Sequence, residues 1–125
     1  MKIFEEASGS FAEKVNFVDE NNVFVGYDLA QDCCEDAGWF ISDKVEKTTE
    51  DDHTCSVDVD KYVFDTEFFE SKDVYDNDDY EGMAIFRLVA GKDEKFLHLY
   101  NCHNGYYGHG FYFKVGEETK ESGTL

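Results

Sequence analysis

The last third of this 125-residue chain reads most clearly as strands separated by turns, its side chains sorting onto two faces with a period of two. In residues 95–102, Leu97 and Leu99 fall on one side and Phe96, His98 and Tyr100 on the other; in 110–115, Phe111, Phe113 and Val115 share a side. Successive side chains of a strand point to opposite faces, whereas a helix repeats its apolar residues every three or four positions. The pattern therefore commits this region to strands. Residues 83–90 add an apolar run broken by Arg87 and closed by the turn Gly91-Lys92-Asp93-Glu94. Asn104-Gly105 is the dipeptide favoured in type I′ turns, so a hairpin is expected from 95–102 into 110–115.

The first half carries weaker versions of the same signal. Residues 14–18 and 22–28 alternate on either side of the turn cluster Asp19-Glu20-Asn21-Asn22, which predicts a hairpin. Residues 39–42 read as a short buried strand. In 54–64, Cys55, Val57 and Val59 oppose Ser56, Asp58 and Asp60. Two short helices are expected: residues 28–36, stopped by Gly38, and residues 65–72, with Asp65 or Thr66 as N-cap. Residues 43–53 and 73–81 are polar or acidic loops, and the polar end from Gly116 is expected to fray. The predicted architecture is one α+β domain over residues 1–125. It has an antiparallel sheet of five to seven strands, one or two short helices, and a flexible tail over 116–125. The length suits one domain, and 42% hydrophobic with 17% aromatic residues argues against disorder.

Charge narrows the partners. Twenty-nine acids against eleven bases leave a net charge of −18, and Arg87 is the one arginine. Such a chain is repelled by nucleic acid and by anionic lipid, and attracted to basic surfaces. There is no apolar run at the N-terminus resembling a signal peptide, and no stretch near the roughly 18–20 apolar residues of a membrane span. A soluble, cytoplasmic protein is expected. Cys33 and Cys34 are adjacent while Cys55 and Cys102 stand apart. A secreted disulfide scaffold of this length is denser in cysteine, so the four read as reduced thiols.

The acids are not spread evenly. Residues 49–81 hold thirteen: Glu50, Asp51, Asp52, Asp58, Asp60, Asp65, Glu67, Glu70, Asp73, Asp76, Asp78, Asp79 and Glu81, against Lys61 and Lys72. Thus −11 of the −18 lies in 33 residues. Clustered like charge destabilises a fold by self-repulsion, and solubility needs only a few net charges. On a strand, Asp58 and Asp60 would share a face about 6.6–6.8 Å apart. Duplex DNA carries a charge every ~3.4 Å per strand. A row of carboxylates can therefore offer a cation-lined cleft a comparable line of negative charge. These thirteen acids are the candidate partner-binding residues, with Tyr62, Phe64, Phe68, Phe69, Tyr75 and Tyr80 as interleaved aromatics.

Other chemistries fit less well. A calcium loop wants Asp-x-Asp-x-Asp-Gly with a glutamate at its twelfth position, which Asp76-Asn77-Asp78-Asp79-Tyr80-Glu81-Gly82 matches only loosely. Cys33-Cys34 and Cys102-His103 are adjacent pairs rather than the spaced pairs of structural zinc sites. A Cys-His nucleophile pair has nothing to fix its geometry. The segment Asn101–Gly110, with three glycines and two tyrosines, suits a tight hairpin and lacks the Gly-Lys-Ser/Thr of a phosphate loop.

Two segments together carry a resemblance: Gly26-Tyr27-Asp28 followed by Asp32-Cys33-Cys34-Glu35, and the strands around Phe86–Leu88 and Leu97–Tyr100 followed by His103-Asn104-Gly105-Tyr106-Tyr107. The layout resembles a family of small phage and bacterial proteins with an acidic Cys-Cys pair and a late Asn-Gly-Tyr-Tyr turn. The resemblance covers about half the chain and departs from it over 49–81. It implies a phage or prophage context and an α+β fold, with no activity attached. Together with the charge, it points to an inhibitor of the anti-CRISPR or anti-restriction kind. Such a protein is not an enzyme and needs no cofactor. It imitates nucleic acid and occludes the groove of a basic DNA- or RNA-binding host protein in the host cytoplasm, without binding nucleic acid or membrane itself. The alternative is a small-ligand or metal-binding module built on the Cys-Cys segment and the Asn-Gly-Tyr-Tyr loop.

Overall fold

A computed structural model of the chain describes residues 1–8, 11–30, 36–46, 58–76, 79–103 and 108–125, with only the backbone for 7, 8, 11, 12, 74–76, 79, 80 and 103. In chain order the strands are β1 (Lys2–Ser8), β2 (Phe11–Val18), β3 (Val23–Asp28), β4 (Asp36–Ser42), β5 (Val63–Phe64), β6 (Glu70–Asp76), β7 (Asp79–Ala90), β8 (Asp93–His103), β9 (Gly110–Val115) and β10 (Glu118–Thr124). One sheet runs β1-β2-β3-β9-β10. The other runs β4-β8-β7-β5, with β6 also paired to β7. Every pairing is antiparallel.

The alternation read from the sequence decides the layers. Val15, Phe17, Val25, Tyr27, Phe111 and Phe113 point inward from the first sheet; Ile41, Phe64, Ala84, Phe86, Leu88, Leu97 and Leu99 meet them from the second. Each fully buried side chain of this size contributes about 1.5–3 kcal/mol relative to exposure. The rings interlock across the gap. Phe86 lies 5.2 Å from Phe113, Phe64 lies 5.8 Å from Phe113, and Phe17 meets Trp39 edge-on at 5.1 Å. The second sheet also carries a small apolar cluster on its outer face, with Phe40, Met83, Ile85 and Phe96 covered by Val45, Phe68 and Tyr100.

Two devices tie the sheets together. The buried carboxylate of Asp19 accepts from the backbone N–H groups of Asn21, Val23 and Phe64 at 2.9, 3.0 and 2.8 Å, so the β2–β3 turn and β5 share one acceptor group. The Met1 ammonium donates to the carbonyls of Val59, Asp60 and Tyr62 at 2.9, 3.0 and 2.9 Å.

Several expectations change. The fold is all-β rather than α+β: no helix occurs among the described residues, which form ten strands in two sheets instead of five to seven in one. The expected helix over 65–72 is a turn followed by β6. The Asp65 carboxylate accepts from the Glu67 N–H at 3.0 Å, and Phe68 and Phe69 then part to opposite faces. Phe68 packs on Phe96 of the outer cluster, whereas Phe69 packs on Phe86 and Phe111 between the sheets. A helix would hold two consecutive rings about 100° apart on one surface, and only an extended chain can feed both layers. Of the other expected helix, residues 31–35 lie outside the described residues, and Gly38 is a mid-strand residue of β4 rather than a helix stop. The acidic stretch 73–81, expected as a loop, supplies β6 and the start of β7 in register Asp73↔Gly82 to Asp76↔Asp79. Acids on an edge strand stay solvated, so their charge does not oppose extension. The strand expected over 54–64 is reduced to β5; 58–62 turn, and 54–57 lie outside the described residues. The strands on either side of Asn104-Gly105 do not pair with each other, because β8 belongs to one sheet and β9 to the other; residues 104–107 themselves lie outside the described set. The polar end expected to fray forms β10 against β9, and Leu125 beyond it is buried.

Candidate partner-binding edge

The packing of the two sheets sets which edges lie together. Trp39 of β4 rests on Phe17 of β2 and sends its indole N–H to Glu5 of β1 at 3.4 Å. At the opposite side, Phe64 and Phe69 rest on Phe113 and Phe111 of β9. The lateral edge of the sandwich is thus formed jointly by the β5–β6 side of one sheet and by β10 of the other. Between them lies an open notch of about 330 Å³ lined by Glu67, Phe68, Phe69, Glu118, Lys120 and Glu121, among others.

The sequence-predicted acids fall into distinct groups on this frame. Glu67, Glu70 and Asp73 are exposed along the edge. Glu70 stands opposite Ile85 and Asp73 opposite Gly82, so these two acids point to opposite faces of the sheet. Asp65 is committed elsewhere: its carboxylate lies 2.9 Å from the Arg87 guanidinium, which also binds Glu94 at 2.7 Å. These bonds, Glu94 first and then Asp65, raise the Arg87 pKa further above its ordinary value. Asp58 and Asp60 do not line a strand. They lie in the turn before β5, where the Asp58 carboxylate accepts from the Asp60 N–H at 3.1 Å. Glu81 is half-buried on β7, between Val74 and Cys102. The backbones of Asp76 and Asp79 are paired in register at the end of the β6–β7 ladder. Glu50, Asp51, Asp52 and Asp78 lie outside the described residues, as do Cys33, Cys34, Cys55 and the Asn-Gly-Tyr-Tyr loop.

Sequence reasoning missed half of the edge. Glu118 and Glu121, exposed on β10, line the notch together with Glu67. They are 51 and 54 residues from Glu67 in the chain, and only the sandwich makes them neighbours. Glu67, Glu70, Glu118 and Glu121 carry no ion pair among the described residues. Lys120 lines the notch beside them, and several other cations have contacts away from it. Lys95 pairs with Asp43, chiefly through a hydrogen bond that raises its pKa. Lys14 and Lys114 lie over the Tyr112 ring on the outer face of the first sheet, 5.4 and 5.0 Å from its centre. The edge therefore combines exposed carboxylates with partly exposed phenyl rings, the chemistry that receives lysine and arginine side chains. Among the described residues no three His, Cys, Asp or Glu side chains gather as a metal site, and no helix is long and apolar enough to cross a membrane.

A family model described as a domain of unknown function, DUF7448, matches residues 2–113. The chain belongs to the DUF7448 family. The match takes in β1 to β8 and most of β9, and stops short of β10 and its share of the acidic edge. No curated protein and no solved structure matches the chain.

Proposed function

We propose that this DUF7448 protein is an inhibitor that works by binding. Its acidic lateral edge occupies the cation-lined groove in which a partner protein holds nucleic acid. The observation that supports this reading is the joining of Glu67 with Glu118 and Glu121 around one notch, with Glu70 exposed on the adjoining edge strand and no ion pair to any of the four among the described residues. Carboxylates so placed pair with the lysines and arginines that would otherwise hold phosphates. The long-range attraction speeds encounter and weakens with salt. The partner class is a basic DNA- or RNA-binding protein, with phage-counteracted defence proteins such as CRISPR effectors and restriction enzymes as the first to test. Exclusion of the polynucleotide, not chemistry, is the mechanism, and no cofactor enters.

The test is competition for duplex DNA on a panel of such purified proteins at 50 and 300 mM salt. The wild type should displace DNA from at least one member at low salt. The variant Glu67→Lys/Glu70→Lys/Glu118→Lys/Glu121→Lys should bind that member about 10²–10³-fold more weakly, from roughly 1 kcal/mol at each reversed site. Equal displacement by the variant, with its fold intact, would overturn the assignment of this edge.

A further inference from the structure

The outer face of the first sheet carries the opposite chemistry to the acidic edge. Strand pairing sets its side chains in rows across β1, β2, β3 and β9. One row holds Lys2, Val18, Phe24 and Lys114; the next holds Phe4, Asn16, Gly26 and Tyr112. Neither contains an acid across those four strands. A third row begins Glu6, Lys14, Asp28. Phe4 is 53% exposed, the most exposed large apolar side chain among the described residues, and Val18, Phe24 and Tyr112 are half-buried. Neither apolar cluster lies on this side: one fills the gap between the sheets, and the other covers the outer face of the second sheet. An exposed aromatic patch ringed by polar groups marks an interaction surface.

Two ammonium groups converge there on one ring. Lys14 Nζ and Lys114 Nζ lie 5.4 and 5.0 Å from the centre of Tyr112. Lys114 Nζ is also 5.8 Å from the centre of Phe24, which meets Tyr112 edge-on at 5.7 Å. Lys14 donates to the Tyr112 hydroxyl, the chief cause of its raised pKa, with Glu6 and Asp28 adding less. None of Lys2, Lys14 and Lys114 has a carboxylate within ion-pair distance among the described residues. Like charges gathered at one ring favour an anion between them, and the rings and lysine stems beside them favour apolar contact. The rest of the molecule limits what that anion can be. A sheet face is open, and small ligands take concave sites. A polynucleotide or an anionic membrane presents a long run of negative charge, which a −18 chain repels and which Glu6 and Asp28 beside Lys14 also oppose. A short peptide with a few carboxylates among apolar residues meets the lysines and rings with far less repulsion.

We propose that the outer face of the first sheet is a docking surface for a short acidic segment of a partner protein. Its carboxylates meet Lys14 and Lys114 beside Tyr112, and its apolar side chains cover Val18, Phe24 and Phe4. The surface is separate from the acidic edge, and the proposal does not rest on the inhibitor reading. Backbone amide shifts of the ¹⁵N-labelled full chain test it, titrated with a blocked Glu-Phe-Glu-Glu-Phe-Glu peptide to millimolar concentration at 50 and 300 mM salt. Shifts should saturate together at Phe4, Val18, Phe24, Tyr112 and Lys114, and the affinity should fall at the higher salt. Lys14→Gln/Lys114→Gln should bind about tenfold or more weakly, as should a glutamine-for-glutamate peptide on the wild type. Phe4→Ala, which alters only an exposed side chain, should weaken binding several-fold and gives a second reading should the lysine variant not fold. The absence of saturating shifts, or shifts centred on other strands, would overturn the proposal. So would a folded lysine variant or a Phe4→Ala variant with wild-type affinity. Perturbation of the same amides by single-stranded oligothymidylate or phosphatidylglycerol vesicles at lower concentration than the peptide would overturn it in favour of a polynucleotide or a membrane. Movement of those amides as the protein alone is concentrated would overturn it in favour of a second copy.

Discussion

At the scale of single residues, a few side chains carry constraints that local sequence does not display. Asp19 reads as one member of a polar turn cluster, yet its carboxylate satisfies three backbone N–H groups, one of them on the other sheet. Asp19→Ala would leave those donors without an acceptor in a site that is 7% exposed. At about 1–3 kcal/mol for a buried donor left unpaired, the variant should lose roughly 2–4 kcal/mol in urea unfolding. A loss under about 0.5 kcal/mol, the usual range for surface sites, would show that the β5 contact is not made. Gly26 and Gly38 make a matched pair. Each stands opposite a tyrosine in the register, Tyr112 and Tyr100, whose ring covers it, and a Cβ on either glycine would fall 2.5 Å from the tyrosine side chain. Gly26→Ala and Gly38→Ala should each destabilise by about 1–3 kcal/mol, the range for overpacking, and Gly26→Ala with Tyr112→Ala should recover part of that loss. An additive double variant would count against ring-over-glycine packing.

At the scale of elements, the strands with clean alternation were legible and those dominated by charge were not. Residues 14–18 with 22–28, 83–90 and 95–102 appear as β2, β3, β7 and β8 because each presents an apolar face to the gap between the sheets, and β7 and β8 carry a second apolar face outward. β6 and β10 are edge strands rich in acids. Neither has an apolar face to betray it, and each is recognised only by the partner it pairs with. β10 gives a direct check. Leu125 is buried, its backbone exchanges two hydrogen bonds with His109, and its carbonyl oxygen also accepts from the Asn101 side chain at 3.0 Å. Leu125→Ala should cost about 2–3 kcal/mol from the lost side-chain burial, measured by denaturant midpoint. A frayed end would give no change.

At the scale of the whole molecule, a net charge of −18 is a stress on the fold. The acidic edge gathers carboxylates from two sheets, so screening should relieve repulsion within the folded state. Raising salt from 10 to 150 mM shortens the Debye length to about 8 Å and should raise the melting temperature by roughly 4–8 °C, the equivalent of about 1 kcal/mol in a domain of this size. The charge-reversed variant should show a smaller rise. An identical rise in both would place the repulsion elsewhere than on this edge.

The sequence alone settled the period of the core strands, the antiparallel pairing and the net charge, since alternation and composition are properties of the chain itself. It also showed that acids concentrate in 49–81. It did not show that Asp65 is spent on Arg87, that Asp58 and Asp60 sit in a turn, or that Glu118 and Glu121 complete the edge. Those facts follow from which sheet each strand joins and how the two sheets stack. A strand's local pattern says which side must be buried, but long-range packing decides what buries it and which solvent-facing residues end up side by side.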